Sequence, residues 1–436
     1  MGLLAVKPGA WSAAFLLLIG STAQAELSGI WEQEYSHNIS SGESQKFETL
    51  LDLEWNREIG DSSYLTAIGR ARFDAEQDLS DSDQRPDTFS EINGSWVKSD
   101  QASLGLRELY LDTEWLGANW RLGKQQVVWG ESDGLKVLDK VNPQSFREFI
   151  LDDFDDSRIP TWMVNAEFPL SDDSSLQLLW IPDTSYNEMP ETGADYAFTQ
   201  PALVPVAPAG VTVNMAELNK PNNWLSDSEL GLRYTAFISG WDLTMNYLYH
   251  HNDNAVLYQE LSGSTITLRP EYERSHLLGG TLSNAFGDLT LRAEVGINSD
   301  SYFVSSDISE RGIASSPEFS SVIGLDWHGF SDSMISVQWF QSHLLDYDPD
   351  IVRDQTEHTL SLLYERTFEN DTWTFETLLL HSLNDSDGLI RPKLTYNASS
   401  ELDIWIGADI FYGQEEGLYG QFDQQDRVSI GFSLGF

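Results

Sequence analysis

The chain contains no cysteine. That excludes a disulfide framework and any thiolate metal site. Basic residues are scarce, with 25 Lys and Arg against 69 Asp and Glu, a formal net charge of -44. Phosphate recognition needs a basic footprint, so nucleic acid is excluded as a partner. Beyond residue 25 no stretch reaches the ~20 apolar residues of a spanning helix. There is also no phosphate-cradling glycine loop and no His-x-x-x-His zinc pair. His381 and Ser382 adjoin, but neighbours in a strand face opposite ways. No catalytic set, cofactor site or metal site is expected on these residues.

What is present first is an address. "MGLLAVKPGAWSAAFLLLIGSTAQA" carries Lys7, an apolar run over Ala13–Ile19 and the small-residue ending Ala23-Gln24-Ala25. This layout predicts a signal peptide over 1–25, with 26–436 as the mature unit. The apolar run is too short for a spanning anchor. Aromatics are abundant, with 15 Trp, 16 Tyr and 21 Phe at a mean hydropathy of -0.32. An exported chain of this kind is a soluble β protein or an outer-membrane barrel.

A two-residue period decides between them. In the closing "DRVSIGFSLGF", Val428, Ile430, Phe432, Leu434 and Phe436 alternate with Arg427, Ser429, Gly431, Ser433 and Gly435. Successive strand side chains point to opposite faces, so the segment has one apolar and one small, polar face. Leu289, Leu291, Ala293, Val295 and Ile297 oppose Thr290, Arg292, Glu294 and Asn298 in the same way. Tight turns such as Gly60-Asp61, Leu116-Gly117, Ser239-Gly240 and Gly287-Asp288 alternate with longer loops such as 76–102 and 183–225. Outer-membrane barrels have this asymmetry, with short periplasmic turns and longer outer loops. Trp31, Trp55, Trp115, Trp241, Trp327 and Trp373 stand near strand ends, where an interfacial aromatic girdle would place them. The expected fold is all-β, a transmembrane antiparallel barrel of about eighteen strands. An even strand number would leave both termini on the periplasmic side of the bacterial outer membrane.

One stretch, residues 125–160, breaks the alternation. Asn142-Pro143 has the form of a helix start, since Asn caps and Pro suits the first turn. Phe146, Phe149 and Ile150 then fall on one helical face. Asp152, Asp153, Asp155 and Asp156 follow, and Arg158 leads into the next strand. A partly helical loop at about 130–159 must bury its apolar face, either in the lumen as a constriction or on the outer rim.

On the strands, Arg70, Arg72, Glu108, Asp112, Arg121, Arg233, Arg292, Glu294, Arg391 and Lys393 are expected to line the lumen. Facing rows of opposite charge would set a transverse field and sort solutes by charge and dipole. Equally, such pairs cross-link adjacent strands. Acid in the outer loops, as in "EQDLSDSDQRPD" over 76–87, suits divalent cations or simply solvates the surface.

The motifs "WGESDGLKVLDKVNP" and "FILDDFDDSRIP" resemble the signature of a proteobacterial outer-membrane family catalogued as domain of unknown function 1302. The resemblance covers most of the mature chain and is strongest from Leu104 to Phe168. It implies an outer-membrane barrel. It also implies two partners, a periplasmic carrier and an RND-type inner-membrane exporter, and with them traffic in lipid-like molecules. The final strand resembles that of outer-membrane barrels at large, which implies that Phe436 is read by the barrel-assembly machinery. Outer-membrane lipid and lipopolysaccharide complete the expected surroundings. The expected function is a channel or transport protein for small or amphipathic solutes, narrowed by an inward loop. The alternative is a closed structural or binding barrel that displays acidic loops to ligands, divalent cations or lipopolysaccharide.

Overall fold

Each alternating segment of the sequence forms a strand in the computed structural model. The structure describes residues 25–76, 88–99, 101–132, 134–190, 193–206 and 210–436. Residues 1–24 of the expected signal peptide and most of the acidic stretch 76–87 lie outside the described residues.

Eighteen strands close a single antiparallel barrel. Each pairs with its sequence neighbours around the ring. The first strand, Ala25–Asn38, meets the last, Arg427–Gly435, in register from Ile30↔Gly435 to Asn38↔Arg427. Closure leaves the ring no free edge for another chain to pair with. A two-residue strand, Val97–Lys98, adds onto Ala102–Trp115.

Turn chemistry sets the two ends apart. Leu116-Gly117 (φ 53 and 75) and Ser239-Gly240 (φ 53 and 89) hold both residues at positive φ. That conformation matches the twist of a two-residue hairpin. The tight turns share one end of the barrel with both chain ends. The other rim carries the longer connections. There, Val256–Ser262 and Thr265–Glu271 form a hairpin, joined in parallel by Thr212–Met215.

The strand faces divide by polarity. Val295, Ile297, Ile323 and Leu325 are exposed, whereas Glu294, Asp326 and Gln338 on the opposite face are buried. An apolar outer wall of this kind is what hydrocarbon covers in a spanning barrel. At the tight-turn end, Trp115–Trp120, Trp241–Phe286, Trp327–Phe330 and Trp373–Tyr396 pair with ring centroids between 4.7 and 5.9 Å apart.

Two apolar clusters form where the long connection 126–160 meets the buried strand faces. Trp129, Val137, Leu138 and Val141 pack with Met163, Leu179, Leu248, Leu277 and Phe340. Phe149 and Leu151 pack with Leu380, Leu389, Phe411, Tyr419 and Phe422. Gly279 and Gly296 make room for the first cluster. A Cβ on Gly279 would stand 2.4 Å from Leu138 Cδ2, and one on Gly296 3.2 Å from it.

The helix expected from Asn142-Pro143 is absent. Residues 142–151 run as bridges and turns, and among the described residues of the segment the only α-helical turn is Phe154–Ser157. The Asn142 amide does not cap. It donates to Gln125 O at 3.2 Å, Ile159 O at 3.1 Å and Thr161 Oγ1 at 3.1 Å, while its oxygen accepts from Val127 N at 2.8 Å. Isolated bridges Gln144↔Arg158 and Ser145↔Glu188 hold the chain extended. Phe149, at φ 56, then turns left-handed into an aromatic cluster. Tertiary pairing has outweighed a local helix signal.

Candidate functional site

Three sets of polar contacts fix segment 126–160 to the strands. Glu148 is central to the first. Its carboxylate meets Lys46 Nζ and Arg147 Nη2, each at 2.7 Å, and Arg427 Nη1 at 2.8 Å. Arg147 also reaches Glu48 at 2.7 Å, and Arg427 reaches Asp409 at 2.7 Å. Arg391 binds Asp409 at 2.8 Å and donates to Leu151 O at 2.6 Å. Arg72 lies 3.6 Å from Glu48. Nearly every group here is buried, so each charge depends on its partners to offset desolvation.

The Asp152 carboxyl sits beside this cluster. Burial, and then the Glu148 charge, push it up to about 6 against the pull of Lys46 and Arg147. Glu148 itself is buried too, but Lys46, Arg147 and Arg427 hold it well below the usual carboxylate range.

The second set lies on Ser63–Asp74 and Ala102–Trp115. Arg70 binds Asp52 at 2.5 Å and Asp156 at 2.6 Å. Arg107 lies 3.5 Å from Asp156 and donates to Asp155 O. Within the segment itself, Arg158 joins Asp139 at 2.8 Å and Asp155 at 2.9 Å, and Lys136 joins Asp139 at 3.1 Å.

The third set is on Leu289–Val304. Glu294 accepts from Glu131 N at 2.9 Å and Leu138 N at 2.5 Å. Arg292 binds Asp326 at 2.8 Å and donates to Glu131 O. Arg233 donates to Val128 O at 3.1 Å.

The remaining expected residues fall into smaller groups. Arg121 pairs with Asp112 at 2.7 Å and lies over the Tyr110 ring. Glu108 accepts from Gln126 Nε2 at 2.8 Å. Lys393 lies 5.0 Å from the centre of the Trp405 ring. Pro143 O accepts from Ile159 N at 2.8 Å, and Phe146 packs on Phe198. The Asp153 carbonyl closes the short helical turn by accepting from Asp156 N and Ser157 N.

Sequence reasoning missed Arg107, Lys46, Arg147, Glu148 and Glu131. Arg107 breaks parity because the ladder shifts between Ile68 and Gly69, inserting one residue opposite them. A bulge puts two consecutive side chains on nearly the same face. The adjacent opposite charges Arg147-Glu148, set between Phe146 and Phe149, were the available signal for the first cluster.

Gly130–Gly134 also has the Gly-x-Ser-x-Gly spacing of a hydrolase elbow. Its context differs, because that elbow joins a strand directly to a helix. Here the preceding strand ends at Gln125, among the described residues no helix starts between it and Phe154, and Ser132 Oγ donates to Leu135 O at 2.6 Å. The same spacing over Gly431–Gly435 lies within the last strand.

The family model described as "Protein of unknown function (DUF1302)" matches residues 37–315, more than half of the chain. The chain belongs to this family. This DUF1302 protein has the fold of outer-membrane porin barrels. It superposes on OccAB3 of Acinetobacter baumannii with a TM-score of 0.51 at 10% identity, over 95% of this chain and 99% of that one. For OccK2 (OpdF) of Pseudomonas aeruginosa, solved in complex with glucuronate, the TM-score is 0.53 at 11% identity, over 95% and 98% of the two chains. At such identities the likeness is one of fold. No curated protein matches the DUF1302 chain.

Proposed function

We propose that the protein is a solute channel of the bacterial outer membrane, with segment 126–160 folded across the lumen as its constriction. One observation carries this reading. A single connection is tied to strands spread around the ring. Glu148 reaches Ser44–Glu58 and Arg427–Gly435, Asp156 reaches Ser63–Asp74, and Glu131 reaches Leu289–Val304. A segment that meets the buried faces of so many staves is braced from within. In this reading the tight turns and both chain ends face the periplasm, and the long connections face outward.

The wall chemistry favours small or amphipathic solutes. Its charges are mostly paired, as in Arg70–Asp52, Arg121–Asp112, Arg292–Asp326 and Arg391–Asp409. Such a wall has local fields but little net attraction for one sign of ion. It suits a solute that carries a polar head beside an apolar body.

Excision of 134–156 tests the constriction. Single-channel conductance in planar bilayers should rise severalfold over the intact protein. Equal conductance of both forms removes the constriction. Silence in both identifies a sealed barrel whose role is binding.

A further inference from the structure

The wall between Trp241–His251 and Arg274–Phe286 is stitched unlike its neighbours. The two strands keep one register from Asp242↔Ser283 to His251↔Arg274, yet the ladder skips the rungs Thr244–Thr281 and Met245–Gly280. The flanking ladders are unbroken at the same height, through Thr235↔Thr244 on one side and Gly280↔Val295 and Thr281↔Glu294 on the other. At the skipped rung Thr281 N donates to Thr244 Oγ1 at 3.0 Å, and the two hydroxyls lie 3.0 Å apart in a hydrogen bond. Gly280 permits this geometry, since a Cβ there would stand 2.3 Å from the Thr244 carbonyl oxygen.

Two further features coincide with the seam. On the outer wall lies an apolar groove of about 340 Å³, walled by Tyr234, Leu243, Met245, Leu282 and Val295 and floored by Gly280. On the inner side Thr281 Oγ1 donates to Glu131 Oε1 at 3.3 Å, and Glu131 belongs to the constriction segment. Backbone rungs facing lipid are expensive to break, because hydrocarbon offers no substitute partner. Threonine hydroxyls can turn about χ1 and re-pair with each other or with Glu131, so this rung costs less to part. Rungs are also skipped at bulges, as between Asn298 and Ser301, where the register shifts, and beside Pro392, where proline lacks an N–H and Arg391 and Asp409 are bridged at 2.8 Å.

We infer that this seam is a lateral exit, through which the apolar tail of an amphiphile in the lumen passes between Thr244 and Thr281 into the outer groove and the surrounding lipid. The occupant is an acyl chain, because the groove lies on the hydrocarbon-facing wall and its lining side chains are apolar apart from the threonines of the seam and the Tyr234 hydroxyl. Only an apolar chain gains by leaving water for such a surface. The polar head stays on the inner side with the guanidinium of Arg292, which it shares with Asp326. The inference rests on the channel reading and adds a second route out of the lumen.

The chain has no native cysteine, so a disulfide can be placed without background. Thr244→Cys with Thr281→Cys locks the seam when oxidised and frees it when reduced. Ala293→Phe fills the groove from outside without touching the ladder. Two readouts are taken on proteoliposomes and planar bilayers: transfer of a dansyl-labelled medium-chain fatty acid into the membrane, and potassium chloride conductance. The expected result is fatty-acid transfer slowed by about tenfold in the oxidised protein and in Ala293→Phe, restored by reductant in the former, with conductance the same in the oxidised and reduced double variant and unchanged by Ala293→Phe. Transfer that ignores both the crosslink and the filled groove overturns the seam and leaves the channel standing. Transfer blocked by the crosslink in a barrel that never conducts ions keeps the seam and overturns the channel.

Discussion

Glu148 is the residue on which the docking of segment 126–160 turns. It is 1% exposed and faces three cations. Removing one partner of a buried charge set leaves the others uncompensated, typically at a cost of about 3–5 kcal/mol. Glu148→Gln should therefore undock the segment, seen as faster proteolysis within 126–160 and a noisier, larger conductance. Asp152 supplies the pH dependence. Its carboxyl is pushed up to about 6 in the docked segment, against an ordinary value of 3.8. The docked state therefore prefers the protonated acid, and docking tightens as pH falls through about 6, gaining nothing further below 3.8. Closed-state occupancy in planar bilayers should rise as the bath is taken from neutral to mildly acid, and Asp152→Asn should flatten that response. A response that survives Asp152→Asn would assign the titration elsewhere. At this scale the alternation placed Arg70, Arg292 and Arg391 on the buried face because a regular strand keeps parity. It could not place Arg107, whose face is set by a bulge, nor Arg147, whose partners lie on strands far away in sequence.

Elements were legible where periodicity and turn chemistry agreed. The Leu116-Gly117 and Ser239-Gly240 hairpins stand where the sequence put them, because positive φ at both positions leaves few other conformations. Segment 126–160 was legible as an exception but not as a shape. Asn142-Pro143 reads locally as a helix start, and only the strand ends at Gln125 and Thr161 show why that amide is used elsewhere. The same distance in sequence hid the glycines that seat the segment. Gly279→Val should collide with Leu138 and with Val295 O, 2.3 Å from the added Cβ, and lift the first apolar cluster. Its expected signature is raised conductance with the barrel still folded on an unheated gel. A Gly279→Val protein of ordinary conductance would separate that cluster from the proposed constriction.

For the whole molecule, the asymmetry of the connections carried the barrel, and the strand number followed from counting turns. Closure depended on a meeting of the two chain ends that no local pattern announces. Gly29 N donates to Phe436 O at 2.9 Å, and Phe436 N returns a bond to Gly29 O at 3.0 Å. The Phe436 ring fills the space above Gly29, where a Cβ would stand 2.6 Å from Cζ. Gly29→Leu should lower the temperature at which the compact band on gels gives way to the unfolded one. Deleting Phe436 should do the same and, on the reading that the assembly machinery recognises it, also lower the yield of inserted protein.

The polypeptide is a necklace whose clasp sits at an arbitrary bead. Since the two ends lie side by side in the wall, a short peptide could join 436 to 26, and the chain could be cut afresh at Leu116-Gly117. Every stave would keep both neighbours, so the permuted pore should conduct as the parent does once refolded in detergent. Whether living cells still insert it would show if the terminal ring does more than fasten the circle.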